Sequence, residues 1–129
     1  MFIFMEKRLY GLRGATGALN TEDSIKKSVV EMCLRLFKEN SLNVDDIVSI
    51  QFTITSDLTK MNPAAALRKG QNEFDVSPCA LFCSQEPVID GSPERMIRLL
   101  VTAYMPENST LHHVYINGAE KLRPDFVKK

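Results

Sequence analysis

Arg98 interrupts a stretch, Met96 to Val101, that is otherwise apolar. An arginine on a mostly buried strand needs a counter-ion or an anionic ligand, because an unpaired buried charge is very costly. A salt bridge to Glu86 or Glu94 would meet that need, and so would a bound anion; the strand alone does not separate the two. Arg13 adjoins Gly14, where a glycine lets the backbone come close to a ligand, although an exposed turn arginine has the same signature. Glu86 lies between Gln85 and Pro87, just past a predicted strand, and can accept a hydroxyl proton in a hydrogen bond or simply be solvated. Tyr115, in an alternating His-Val-Tyr-Ile segment, suits a core tyrosine with a satisfied hydroxyl. Arg68 closes a short helix, where a cation favours the helix dipole without any ligand. Arginines with one carboxylate and one tyrosine suit electrostatic binding of a small polyanion better than acid–base or covalent work.

Other chemistries have weaker support. Cys79 and Cys83 form a C-x3-C pair with His112 and His113 downstream, a spacing that matches no strong zinc signature. Small half-buried thiols on a strand, with no metal, are the better reading. Gly11 to Thr16 lacks the P-loop pattern, and no nucleophile elbow occurs.

These residues must be carried by a small set of elements. Residues 2–14 read as a first strand ending in a turn at Gly14-Ala15-Thr16-Gly17. Asn20-Thr21 caps an amphipathic helix of about five turns, with Ile25, Val29, Met32 and Leu36 on one face, ending near Asn40. Val48 to Thr55 alternate strictly and predict a half-buried strand. Asn62, Pro63 and Gly70 bracket a short helix. Residues 79–83, 96–105 and 113–116 are further strands, with turn chemistry over 86–94. The fold class is therefore α+β: a mixed sheet with two helices on one face. Two helices cannot cover both faces, so the second face is expected to be open or buried against another subunit.

The 129 residues fit one domain, 1–129, with residues 1–7 and 127–129 as loose ends. Sixteen basic and sixteen acidic residues cancel, which argues against a nucleic-acid module. No apolar run approaches the ~20 residues of a membrane helix, and the N-terminus has its apolar residues before its charges, the reverse of a signal peptide. Three cysteines do not suit a secreted disulfide framework, so a reducing cytoplasmic setting is the default.

Five segments, in order, carry a resemblance to a known family: Gly11 to Thr16; the capped helix after Asn20-Thr21; Thr55 to Leu58 leading into Asn62 to Arg68; Cys83 to Glu86 with Ile97-Arg98 downstream; and His113 to Tyr115 running on to Lys121-Leu122-Arg123-Pro124-Asp125. Over residues 8 to 126 the chain resembles the AroH-class, monofunctional chorismate mutases. The resemblance implies a ferredoxin-like-related α+β subunit in a homotrimer, with barrel-like packing of sheets and active sites between subunits. The reaction would be the Claisen-type rearrangement of chorismate to prephenate in aromatic amino acid biosynthesis, without cofactor, nucleophile or proton transfer. By resemblance, Arg98 faces the ether oxygen and Glu86 accepts from the ring hydroxyl with Cys83 nearby. Arg13 and Tyr115 would hold a carboxylate. Arg68 from the adjacent subunit, together with Leu122 and Arg123 near the C-terminus, would cover the anion.

The sequence departs from the family at Asn62 and Ala65, where an aromatic residue and a lysine are usual, and in a longer loop at 70–77. Weaker binding with retained turnover is the expected consequence. Two rivals share the same features: a trimeric Rid-type enamine or imine deaminase, and a non-catalytic trimer that binds a small dicarboxylate. Four of the seven arginines fall in the matched motifs, so an overall neutral assembly with strongly positive pockets is expected.

Overall fold

A computed structural model of the chain describes residues 6–127. The elements run β1 (Lys7–Gly17), α1 (Glu22–Glu39), β2 (Ile47–Ile54), α2 (Pro63–Gly70), β3 (Ala80–Gln85), β4 (Met96–Pro106), β5 (Val114–Ile116) and a one-turn α3 (Pro124–Val127). The strands form one mixed sheet in the order β3-β2-β4-β1-β5. β4 lies antiparallel to both β1 and β2, while β1–β5 and β2–β3 are parallel pairs.

Both long helices pack on one face, as the sequence predicts. Thr21 caps α1 by accepting from the Ser24 N–H at 3.1 Å, and Asn20 instead accepts from the N–H groups of Thr59 and Lys60. Ile25, Val29, Met32, Leu36 and Phe37 are fully buried against Leu12, Ile50, Phe52, Ile97 and Val101 of the sheet. Asn62 caps α2 through the Ala64 N–H at 2.8 Å. The residue that departs from the family's aromatic thus has a local structural use. The 71–78 loop folds back onto α1: the Gln71 side chain brackets the Phe74 backbone, and Phe74 meets Phe37 edge-on at 5.1 Å.

Two boundaries differ from the sequence reading, each for a physical reason. β1 does not turn at Gly14 but runs on to Gly17, because residues 14–16 are paired on both sides, by β4 and by β5. Residues 2–5 of the predicted strand lie outside the described residues. Gly17 is there for close approach, since a Cβ on it would sit 2.3 Å from the Asn117 carbonyl oxygen. Gly17→Ala is expected to destabilise the fold by about 1–3 kcal/mol through overpacking against backbone, read as a lowered urea midpoint with an unchanged m-value. Gly70 is likewise no left-handed cap. It ends α2 where a Cβ would come within 2.6 Å of Val30, so it lets the two helices close on each other.

The opposite sheet face is largely uncovered, and Leu9, Phe82, Leu100 and Tyr104 are exposed on it. Only one end is covered. There the 3-10 turn Ala119–Leu122 and α3 close a small second cluster of Ala15, Met96, Tyr115 and Ala119, with Leu122 and Phe126 against it. A third, short helix on the second face is therefore an addition to the expected architecture.

Candidate active site

Register builds the site. Ser84, Thr53, Arg98, Ala15 and Tyr115 stand side by side across β3, β2, β4, β1 and β5 on the open face. One step along the strands, Phe82, Gln51, Leu100 and Arg13 form the adjacent row. Ala15 is small, so the row dips between Arg98 and Tyr115. A cleft of about 510 Å³ opens over it, lined by Arg13, Glu86, Arg98 and Tyr115 with Gln51 and Thr53 between them. Residues far apart in sequence converge because alternation sends every second side chain to the same face.

Arg98 is not buried, contrary to the expectation from its apolar neighbours. β4 alternates, with Ile97, Leu99 and Val101 facing the core and Arg98 and Leu100 facing out. The Arg98 side chain is 57% exposed, and its Nη1 lies 3.5 Å from Glu86 Oε1. That long contact leaves most of the guanidinium donors available. Glu86 is held more tightly, its side chain 16% exposed. Its N–H donates to the Ile54 carbonyl at 2.9 Å, and Thr53 donates its hydroxyl to Oε2. Of the two counter-ions the sequence left open for Arg98, Glu86 is the one in place; Glu94 pairs with Arg95.

Arg13 lies mid-strand rather than at a strand end. It forms no ion pair with a described residue, and its guanidinium stands 5.9 Å from the Phe126 ring centre. Tyr115 is nearly buried and packs on Phe126, with ring centres 5.7 Å apart. Leu122 belongs to the same cluster. Arg123 stacks on Phe126 at 3.8 Å and pairs with Asp125 at 2.7 Å. The hydrogen bond between Arg123 and Asp125 lowers the Asp125 carboxyl below its usual range and raises the guanidinium.

Four predicted site residues do not line this cleft: Leu122 and Arg123 stay in the adjacent C-terminal cluster, and Cys83 and Arg68 lie on the other side of the sheet. Cys83 is opposite Phe52 in the sheet and faces the helix side, half-buried against the main core. Desolvation there pushes its thiol up. Parity explains the difference, since Cys83 and Ser84 must face opposite ways. Arg68 lies on α2, on the helix-covered face, and is exposed. Thr53 and Gln51 were not singled out in the sequence, although their alternation with Phe52 and Ile54 marks them as open-face residues. No group of three or more His, Cys, Asp or Glu suited to a metal occurs among the described residues. A larger hollow of about 740 Å³ lies beside the N-terminal half of α1, with cations Lys27, Arg95 and Lys121 and acids Glu31 and Glu94. Its mixed charges partner one another in part, as in the Arg95–Glu94 pair, and none of the site residues predicted from the sequence lines it.

An α+β subunit whose open sheet face carries a cleft lined by two arginines and one partly buried carboxylate belongs to the class of proteins that can hold a small anion. The family model for chorismate mutase type I matches residues 9–126, and the chain belongs to that family. Chorismate mutase AroH of Thermus thermophilus is 31% identical over 120 residues, covering 90% of this chain and 94% of that protein. Chorismate mutase AroH of Bacillus subtilis is 30% identical over 119 residues, covering 90% and 91%. A solved chorismate mutase structure from Clostridium thermocellum superposes with a TM-score of 0.75 at 33% identity, covering 87% of this chain and 98% of that one. The activity is that of a chorismate mutase, an isomerase, which sets aside the deaminase reading.

Proposed function

We propose that the open-face cleft binds chorismate and rearranges it to prephenate with Arg98 as the cation at the ether oxygen. The observation that carries this reading is the placement of Arg98, held beside Glu86 yet with donors free, between Thr53 and Ala15 on the open face. As the ether bond breaks and the new carbon–carbon bond forms, negative charge gathers on the oxygen. A fixed guanidinium there stabilises the transition state more than the ground state, which is what accelerates a reaction. Glu86, aligned by Thr53, accepts from the ring hydroxyl and orients the ring. Arg13 and Tyr115 hold a carboxylate, and Arg123 and Leu122 border that end. Holding both ends of the substrate also restrains the enolpyruvyl arm in its reactive geometry, which lowers the entropic part of the barrier. No step needs a cofactor, a nucleophile or a proton transfer.

The working unit in this reading is a homotrimer with sites between subunits. The exposed Leu9, Phe82, Leu100 and Tyr104 on the open face support it, because exposed apolar patches mark association surfaces. In such an assembly Arg68, on the helix-covered face, would serve the cleft of another copy. Cys83 would then act at most through the shape of β3. The three free thiols fit a reducing, cytoplasmic setting, and no helix among the described residues is long and apolar enough to cross a membrane.

Purified protein mixed with chorismate should remove its ultraviolet absorbance with formation of prephenate. A rate no faster than buffer would leave the non-catalytic dicarboxylate-binding reading in its place. Light scattering should give a mass three times the 14.6 kDa chain; a monomer would contradict the shared site.

A further inference from the structure

We infer that His113 is a positioning residue for substrate binding. Its neutral imidazole ties Arg13 on β1 to the C-terminal turn that carries Arg123 and Phe126. This inference rests on the reading of the cleft given above.

Three contacts carry it. The parallel β1–β5 ladder begins at Gly14↔Val114, so the Arg13 N–H falls just outside it. That N–H donates instead to His113 Nδ1 at 3.0 Å. The nitrogen that accepts cannot carry the proton, so the ring is the neutral tautomer with its proton on Nε2. The face of the same ring lies against Phe126, with centres 4.3 Å apart and planes at 32°. Phe126 is in turn the surface on which Arg123 stacks and toward which Arg13 leans. His113 itself is held from behind. Asn40, at the end of α1, accepts from the His112 N–H at 2.9 Å and donates to the His112 carbonyl at 2.8 Å.

The charged groups around the ring are Arg13 from β1, Arg123 and Asp125 from the C-terminal turn, the neighbouring His112, and Arg35 and Glu39 of α1. Burial, and after it the nearby cations, hold His113 below the ordinary imidazole range, which favours the neutral form that the geometry requires.

The functional consequence is specific. Arg13 and Arg123 hold the substrate in the ground state and in the transition state alike. A loosened His113 therefore raises KM and leaves kcat nearly unchanged, the pattern expected when uniform binding is lost. Two variants divide the contacts. His113→Asn keeps an acceptor for the Arg13 N–H and loses the ring. His113→Phe keeps a ring against Phe126 and loses the acceptor. Each should raise KM roughly two- to tenfold, the range for one neutral hydrogen bond or one aromatic pair. Adding Phe126→Leu should raise KM by a larger factor in His113→Phe than in His113→Asn, where the ring contact is already gone and only the Arg123 stack on Phe126 remains to be lost. In the amide NMR spectrum, the Arg13 N–H should move in His113→Phe and stay in place in His113→Asn.

A fall in kcat at constant KM, fully additive effects of His113→Asn and Phe126→Leu, or an Arg13 amide unmoved in His113→Phe would overturn the proposal. The two levels of failure separate cleanly. Wild-type protein that does not turn over chorismate refutes the reading of the cleft, whereas active wild type with unaltered KM in both variants refutes the role of His113 alone.

Discussion

Arg98→Ala is expected to lower kcat by about 10²–10³-fold, comparable to the ~2.7–4 kcal/mol lost with an oxyanion-hole donor, while the protein stays folded. The two halves of this expectation come from different observations. The loss in rate follows from removing the cation where charge develops, an interaction worth more in the transition state than in the substrate complex. The unchanged fold follows from exposure: the side chain is 57% exposed and its ion pair is long at 3.5 Å, and pairs of that kind contribute little to stability. Citrulline at position 98 sharpens the test, because it keeps the shape and most hydrogen-bond donors and removes only the charge. Citrulline as slow as alanine would assign the effect to charge. Turnover at the wild-type level in either variant would remove Arg98 from the role given to it. Stopped or continuous absorbance assays at saturating chorismate read kcat directly, and thermal melts check the fold.

Glu86→Ala is the second large effect, a fall of roughly ten- to a hundredfold in kcat/KM, the range for a hydrogen bond to a charged group. Glu86 stands at the junction of three contacts: the Thr53 hydroxyl, the Arg98 guanidinium and its own N–H on β2. Removing the carboxylate therefore deletes an acceptor for the ring hydroxyl and also frees Arg98 from its only ion-pair partner among the described residues. Glu86→Gln separates the two losses. It retains an acceptor oxygen and the Thr53 contact while cancelling the charge, so it should fall between alanine and wild type. Glutamine as slow as alanine would show that the charge on Glu86, and not its place as an acceptor, is what the reaction uses. Light scattering on each variant should report the same assembly as wild type; dissociation would mean that the carboxylate is needed for structure.

Both predictions depend on a site that is partly legible in the sequence alone. The pattern of capped helices and alternating strands placed the five strands and the two longer helices within a few residues, because N-caps, prolines and period-two alternation act locally; the short C-terminal helix had no such signal. Arg98 stood out as a charge in an apolar run from residue types alone, with Glu86 and Glu94 both open as its counter-ion. The neutral total charge likewise pointed away from polyanionic partners. It says nothing about the positive cleft, since a sum carries no positions.

Tertiary structure decided what depends on partners distant in sequence. Gly14 to Gly17 look like a turn locally but form strand, because β4 and β5 bond to them from both sides. Arg98 looks buried beside its apolar neighbours but is exposed, because pairing with β1 and β2 fixes which parity of β4 meets the helices. Cys83 and Glu86 look like one motif, yet parity turns the thiol to the core while Glu86 lines the cleft. The contact between His113 and Arg13 spans a hundred residues of sequence, so no local pattern announces it. Local chemistry therefore sets which segments are helix or strand and which residues are worth watching. The register between strands, which pairing across the whole chain imposes, decides which of them share a face and so which can hold one substrate.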